Sequence, residues 1–265
     1  MSIKIHILAS SSSGNCVALQ ENGEITLIDA GISYKRIRLK LEELGYTPEN
    51  IKTVLLSHEH GDHIAGLPLI FKKHHPMLYT TQGTLNAIRV KEQTKGSAII
   101  PENSNISIVK RFDIINISNF TIEVLPGVHD AAEPVCFFIK NNAMNIMYLL
   151  DTGYPTQLLK AKAIYADVLL LESNYDEDII KKSSLRPWSN RMRVMSRYGH
   201  LSNKQAVSFI KDLLKNKENH LKTLVLMHIS KEHNNREILS ELFAKTFAKN
   251  NLHILLSDPQ ETLSL

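Results

Sequence analysis

A stretch of apolar residues ends at Leu56, and a run of potential metal ligands, H-E-H-G-D-H over residues 58–63, follows after one serine. This pattern predicts a strand whose C-terminal end continues into a ligand-bearing loop. His58 and His60 can point to one side of such a loop. Asp62 and His63 can then turn toward a second centre roughly 3.5–4 Å away, the metal–metal distance of two-metal hydrolytic sites. One motif can therefore serve two cations, and the alternative is a polar surface loop that holds three histidines.

Three more potential ligands each follow a strand-like apolar run. They are His129 after residues 120–125, Asp151 after residues 145–150, and His228 after residues 223–227. Sites in layered α/β proteins gather at strand ends, because strands hold positions rigidly while loops supply reactive groups. Taken singly, these residues could be a loop histidine, a turn-forming aspartate and a core histidine. Together with the first motif they complete a two-metal ligand set.

This set resembles the pattern of the metallo-β-lactamase-fold hydrolases, in which H-x-H-x-D-H precedes one histidine, one aspartate and a last histidine. The resemblance implies a four-layer αββα sandwich of the α/β (α+β) class, and the chain length favours one domain over residues 1–265. It also implies two divalent metal ions. One would take His58, His60 and His129, the other Asp62, His63 and His228, with Asp151 as the bridge. Histidine-rich ligation favours zinc, and carboxylates at both centres also suit manganese.

Two further segments are similar to the nuclease branch of this superfamily. Glu172 ends the apolar run 168–171, and His200 precedes a predicted helix whose start has the capping-box spacing of Ser202 and Gln205. In ribonuclease Z-like enzymes an E-x-T segment and an H-S-T segment supply a glutamate and a histidine that act on the leaving group. Glu172 and His200 would be their equivalents, although the letters here are E-S-N and H-L-S. The alternative is that Glu172 neutralises a nearby cation and His200 only packs.

Several short runs, taken as one set, are most similar to the WalJ/YycJ-like family. They are S-S-S-S-G-N at 10–15, H-D-A-A at 129–132, E-S-N at 172–174, G-H-L-S-N at 199–203 and H-I-S-K-E-H-N at 228–234. Members are regarded as DNA exonucleases or uncharacterised hydrolases, so the resemblance implies phosphodiester chemistry on nucleic acid, with DNA favoured over RNA. In the resulting hypothesis a hydroxide shared by two metals attacks phosphorus, and Asp62 and Asp151 fix the metals. His200, supported by Glu172, protonates the leaving oxygen.

Two segments are candidates for holding the substrate. In the serine-rich loop, hydroxyls and amides of Ser11, Ser12, Ser13 and Asn15 could hold a phosphate, and a flexible turn is the alternative. Residues 181–198, called here the arginine segment, contain six basic residues and no acid, against a net charge of +4 for the whole chain. The segment lies between Glu172 and His200 in sequence, so its basic side chains should attract a polyanion. Its arginines are Arg186, Arg191, Arg193 and Arg197.

Trp188, the only tryptophan of the chain, lies in the middle of the arginine segment. It could stack on a base or anchor the segment as a buried apolar residue. No apolar stretch reaches 18 residues and the N-terminal apolar run is too short for a signal sequence, so we expect a cytoplasmic protein without a membrane span. Cys16 and Cys136 lack C-x-x-C spacing and are expected as reduced core residues.

Two other functions remain open from the sequence. A small-molecule hydrolase of the glyoxalase II or lactonase type would share every metal ligand, but it would not need the Glu172 and His200 pair or the arginine segment. A non-enzymatic regulatory scaffold would keep the fold and perhaps the metal. The complete ligand set argues against the scaffold, because degenerate copies tend to lose ligands.

Overall fold

Two seven-stranded mixed sheets carry the secondary structure, and each belongs to its own unit of the chain. The computed structural model describes residues 3–265. The first unit contains the described residues up to Arg111 together with Ala131–Pro134 and Asp258–Leu265, and the second contains Phe112–Asp130 and Val135–Ser257. The expected single domain over 1–265 stays a prediction.

The elements follow one another in mixed order. The strands are β1 (Lys4–Ala9), β2 (Cys16–Glu21), β3 (Glu24–Ile28), β4 (Ile51–Leu55), β5 (Met77–Thr81), β6 (Ile106–Val109), β7 (Ile114–Ile117), β8 (Phe120–Pro126), β9 (Val135–Lys140), β10 (Asn145–Leu149), β11 (Val168–Glu172), β12 (Thr223–Met227), β13 (His253–Leu256) and β14 (Leu263–Ser264). The helices are α1 (Tyr34–Glu43), α2 (Gly61–Ile64), α3 (Leu67–His74), α4 (Gln82–Lys95), α5 (Gln157–Ala163), α6 (Glu177–Lys182), α7 (Trp188–Met195), α8 (Asn203–Leu214) and α9 (Arg236–Phe247), and a 3₁₀ turn spans Pro48–Asn50.

In the first unit the sheet order is β14-β1-β2-β3-β4-β5-β6, and β3 to β6 run parallel. Parallel strands are covered on both faces, which explains why four of the five residues of β4 are buried. Helix α1 begins after Ser33, whose hydroxyl accepts a hydrogen bond from Arg36 N, and it buries Ile37 and Leu41 one turn apart. The strand predicted before His58 is confirmed.

In the second unit the sheet order is β13-β12-β11-β10-β9-β8-β7, and β10 to β13 run parallel. Leu149 pairs with Leu171, and Glu172 pairs with Met227, so β10, β11 and β12 end at the same level. Helix α8 buries a stripe with helical spacing, formed by Ala206, Phe209, Ile210 and Leu213. The side chains that come after the three strands are thereby held at one edge of the sheet.

Both cysteines are buried, as predicted. Within residues 3–265, none of the helices combines the length and the apolar character needed to cross a membrane.

Candidate metal and catalytic residues

The histidine loop, residues 57–63, follows β4 and includes the first residues of α2, and it gathers four potential metal ligands in the first unit. The His58 ring lies 4.7 Å from the His60 ring and 4.1 Å from the His63 ring, measured between centroids. His63 Nε2 is 3.6 Å from Asp62 Oδ2. His58 and His63 are buried, whereas His60 and Asp62 are half-buried. Imidazole nitrogens and a carboxylate in this proximity are a donor set that suits zinc or manganese.

Asp29, directly after β3, orients His63. The His63 Nδ1–H donates to Asp29 Oδ2 over 2.7 Å, and both side chains are fully buried. Asp29 also accepts from the backbone N–H and the hydroxyl of Ser57, each at 2.8 Å. Because Nδ1 carries the proton, Nε2 is left as a metal donor. Sequence analysis missed Asp29, although its position as a carboxylate at a strand end was the available signal.

Asn15 lies beside the same ligands. Its side-chain amide nitrogen is 3.4 Å from Asp62 Oδ2 and 3.3 Å from His63 Nε2, and its Oδ1 accepts from Ser10 Oγ at 2.9 Å. A residue considered for phosphate binding therefore contacts two candidate metal ligands. Its role toward substrate stays a prediction.

The serine-rich loop is an ordered tight turn. The backbones of Ser11 and Gly14 exchange two hydrogen bonds of 3.2 and 3.0 Å, and Ser11 Oγ lies 2.8 Å from Ser13 Oγ. Ser11 is buried, while Ser12 and Ser13 are exposed. Phosphate binding by this loop stays a prediction.

Gly31 allows three backbone segments to meet behind the histidine loop. Asp62 O accepts from Asn15 N at 2.9 Å, and Gly31 N donates to Asn15 O at 2.7 Å. A Cβ on Gly31 would lie 1.6 Å from Asp62 O, which is far inside contact distance. The position of Asp62 therefore depends on a glycine at residue 31.

We expect Gly31→Ala to destabilise the protein and to reduce the metal retained after dialysis. Displacing a packed backbone typically costs about 1–3 kcal/mol, which lowers the Tm of a chain of this size by roughly 2–10 °C. Thermal unfolding and elemental analysis measure both effects. Gly61→Ala is the matched control, since a Cβ there meets no atom of the described residues within 4 Å. Equal Tm and metal content in the two variants would contradict the role of Gly31.

In the second unit, Asp151, Glu172, His200 and His228 form an acid–histidine cluster whose ligand atoms lie within 4.8 Å of one another. Asp151, Glu172 and His228 come from the level ends of β10, β11 and β12. His200 comes from the loop before α8, and its ring stacks on that of His228 at 5.0 Å. The structure thus brings together Glu172 and His200, which are 28 residues apart in sequence.

Glu172 contacts both histidines of the acid–histidine cluster. Its Oε1 accepts from His200 Nδ1 at 2.6 Å and from His228 Nδ1 at 3.0 Å. Its Oε2 accepts from the backbone N–H groups of Thr152 and Leu201, at 3.1 and 3.2 Å. The side chain is fully buried. A buried carboxylate with four donors is fixed in both position and orientation.

The charges of this pair support each other. Burial is the largest single effect on the pKa of Glu172 and would raise it, but the charge of His200, together with the hydrogen bonds from His200 and His228, holds that pKa below its usual range. Burial would likewise lower the pKa of His200, but Glu172, with a further hydrogen bond to Asp151 at 3.1 Å, raises it to about 9. The protein side chains by themselves therefore favour an imidazolium next to a carboxylate at neutral pH.

Backbone strain coincides with candidate site residues. Asp29, Asp151 and His228 have φ of +57°, +49° and +55°, in the left-handed region that residues other than glycine seldom adopt. Each stands at or just after the end of a strand. Such conformations cost about 1–3 kcal/mol and persist where surrounding contacts impose them, often at functional sites.

His129 and Asn174 complete the contacts around the cluster. His129 Nδ1 donates to Gly199 O at 3.0 Å, which leaves Nε2 as the donor nitrogen, 3.9 Å from Asp151 Oδ1. The Asn174 amide donates to His228 O at 2.9 Å. Asn174 is the residue at which the E-S-N run departs from E-x-T, and the structure gives it a role in holding His228.

His200 is positioned by the start of α8. The predicted capping box is confirmed, because Ser202 Oγ accepts from Gln205 N at 3.2 Å and Gln205 Oε1 accepts from Ser202 N at 2.8 Å. His200 N donates to Val194 O at 2.8 Å, which ties the residue to the last turn of α7. The backbone of His200 is therefore fixed on both sides.

Every arginine considered for substrate binding has a partner within the second unit. Arg186 makes a bidentate ion pair with Glu232 at 2.7 and 2.6 Å, Arg193 pairs with Asp130, Arg191 donates to the carbonyls of Ile180 and Lys181, and Arg197 stacks over the Tyr154 ring at 4.7 Å. Trp188 is 54% exposed, so it does not act as a buried anchor. Phosphate binding by these arginines stays a prediction.

The sequence of the chain is similar to those of known proteins. The model of the beta-lactamase superfamily domain matches residues 25–229. The exodeoxyribonuclease WalJ of Streptococcus pneumoniae is 30% identical over 255 residues, covering 95% of this chain and 90% of that protein. The exodeoxyribonuclease YycJ of Bacillus anthracis is 29% identical over 240 residues, covering 90% and 86%.

A solved structure shows the same fold. The metallo-β-lactamase fold protein YhfI from Bacillus subtilis superimposes with a TM-score of 0.71 at 16% identity, covering 99% of both chains. Ribonuclease J of Synechocystis is similar over a smaller part, with 25% identity over 147 residues that cover 52% of this chain and 22% of that protein.

Proposed function

The chain belongs to the beta-lactamase superfamily domain family and, within it, to the group of the WalJ and YycJ proteins, and from this premise we propose that it is a metal-dependent DNA exonuclease. The observation that carries the proposal is the contact of the half-buried His200 with the buried Glu172, beside Asp151. Hydrolysis of a thioester or lactone does not require such a pair, whereas cleavage of a phosphodiester with a poor leaving group gains from a held proton donor.

The described donors fit divalent cations. His63 and His129 each donate Nδ1–H to an oxygen within the protein, so that Nε2 is the coordinating nitrogen, and the accompanying carboxylates are buried or half-buried. The assignment of one cation to His58, His60 and His129 and of another to Asp62, His63 and His228, with Asp151 shared, is part of the proposal. When bound, two such cations would neutralise phosphate charge and lower the pKa of the attacking water.

The remaining chemistry falls to the chain's own side chains. Glu172 holds His200 through Nδ1, so that Nε2 is the nitrogen able to meet a leaving oxygen. As the bond between phosphorus and the leaving oxygen breaks, His200 transfers its proton to that oxygen. Glu172 keeps the imidazolium oriented before transfer, as the aspartate does for histidine in a catalytic triad.

The function is tested with DNA and RNA labelled at the 5′ or the 3′ end, incubated with purified protein and manganese or zinc. We expect stepwise release of nucleotides from one end of DNA, loss of cleavage with a chelator and recovery when metal is restored. The labelled end that shortens first gives the polarity. RNA digested faster than DNA would change the substrate class, and intact nucleic acid alongside rapid thioester or lactone hydrolysis would reject the proposal.

A further inference from the structure

Large apolar and aromatic side chains are exposed along the arginine segment. Leu185, Trp188, Met192 and Tyr198 are each about half exposed or more, and Leu185 reaches 69%. Trp188 and Met192 are four residues apart on α7 and therefore lie on one face of that helix. All residues of α7 are exposed or half-buried. An apolar helix face left in solvent within a strongly basic segment indicates a binding surface.

Two arginines of the arginine segment each lie over one face of an aromatic ring. The Arg191 guanidinium lies over the Trp188 ring at 4.9 Å, and that of Arg197 lies over the Tyr154 ring at 4.7 Å. Arg191 is itself fixed by donating to Ile180 O and Lys181 O at 3.0 and 2.9 Å. The Trp188 indole is thus supported from one side while more than half of its surface remains open to solvent. A supported, exposed ring is arranged for stacking on a planar ligand.

The position of this surface relates it to the acid–histidine cluster. His200 N donates to Val194 O, and Trp188 lies six residues before Val194 in the same helix. At about 1.5 Å per residue, the two helix positions are about 9 Å apart along the axis. Stacked nucleotides rise about 3.4 Å each along the axis of a DNA helix, so this span corresponds to roughly two or three stacked nucleotides.

We propose that Trp188, with Met192 on the same face of α7, forms a stacking platform for unpaired bases of the nucleic acid strand held next to His200. The inference rests on the proposed nuclease function and specifies that the nucleotides near the site are unpaired. Arg186 and Arg193 are ion-paired with Glu232 and Asp130, and the other four basic residues of the segment complement a polyanion. Open ring faces favour bases that are not covered by a duplex neighbour.

Trp188 offers a direct probe, because it is the only tryptophan in the chain. Full-length protein in chelator, where hydrolysis is stopped, is titrated with a single-stranded thymidine oligonucleotide while indole fluorescence is recorded. We expect saturable quenching by this oligonucleotide and by a duplex with a single-stranded tail, and little by a blunt two-strand duplex or inorganic polyphosphate. Equal quenching by the blunt duplex would overturn the proposal.

Variants then measure the contribution of the ring. Trp188→Ala should weaken binding of a labelled single strand by about 5-fold to 100-fold, the range for loss of one stacked base. Trp188→Phe should retain much of the affinity. Ile238→Ala, which removes an exposed apolar side chain from α9 in the same unit, is the matched control and should bind normally. Equal affinity of Trp188→Ala and the control would overturn the platform.

Hydrolysis of bis(p-nitrophenyl) phosphate with metal present separates this inference from the proposed function. This small diester has no nucleobase, so Trp188→Ala should cleave it at the normal rate while KM for single-stranded DNA rises and kcat stays constant. Quenching without any diester hydrolysis would leave the platform standing and reject the nuclease. Diester hydrolysis without quenching would support the nuclease and reject the stacking platform. Quenching that follows protein concentration, with dimers on gel filtration, would assign the surface to a second copy and overturn the inference.

Discussion

Replacing His200 with alanine is expected to lower kcat on DNA by about 10²–10⁴-fold, the usual contribution of a positioned proton donor. His200 is held by Glu172 at 2.6 Å and Asp151 at 3.1 Å, and its pKa is raised to about 9, so it carries the proton that a leaving oxygen needs. Metal content should be unchanged, because the proposed role is proton transfer and not coordination. Elemental analysis and steady-state kinetics measure the two quantities.

The identity of the leaving group distinguishes a proton donor from a merely structural residue. A nucleoside alkoxide needs protonation as it departs, whereas p-nitrophenolate leaves without it. The loss caused by His200→Ala should therefore be much smaller for a p-nitrophenyl ester of thymidine monophosphate than for DNA. His253→Ala is the matched control, since His253 is an exposed histidine of the same unit. Loss of metal from His200→Ala, or equal losses on both substrates, would refute the assigned role.

Most of the candidate ligands could be predicted from the sequence because they follow the C-terminal ends of apolar strands. Apolar runs before His58, Asp151, Glu172 and His228 are parallel strands, and the loops after neighbouring parallel strands emerge at one edge of their sheet. Hydrophobic patterning thus identifies the candidate ligands without knowledge of distances. The capping box at Ser202 is equally local, because its two partners are only three residues apart.

Long-range polar contacts explain what the sequence does not predict. Asp29 meets His63 across 34 residues and Asn174 meets His228 across 54, and no local pattern encodes either pair. The arginine segment shows the same limit, because Arg186 and Arg193 pair with Glu232 and Asp130, which are distant in sequence. The charges along the segment predict a basic surface, but they do not predict that Glu232 and Asp130 pair with two of its arginines.

Glu172→Gln is expected to reduce kcat on DNA by roughly 10²–10⁴-fold as well, by a different route. The Thr152 and Leu201 N–H groups both need an acceptor, so the glutamine oxygen must face them. Its NH₂ group would then face the Nδ1–H groups of His200 and His228, placing donors against donors. His200 would lose the nearer of the two carboxylates that orient it and raise its pKa, and only Asp151 would remain.

Glu172→Gln should also lower the stability of the fold, and this effect distinguishes it from His200→Ala. Each buried donor left without an acceptor costs about 1–3 kcal/mol, and Tm falls by roughly 2–4 °C for each kcal/mol in a chain of this size. Glu123→Gln is the control, because Glu123 is a buried carboxylate paired with Lys140 and Lys162 outside the acid–histidine cluster. That variant should lose stability and keep its kcat. Circular dichroism verifies that Glu172→Gln is folded. Full activity of the folded variant would mean that His200 does not depend on Glu172, and it would refute the paired mechanism.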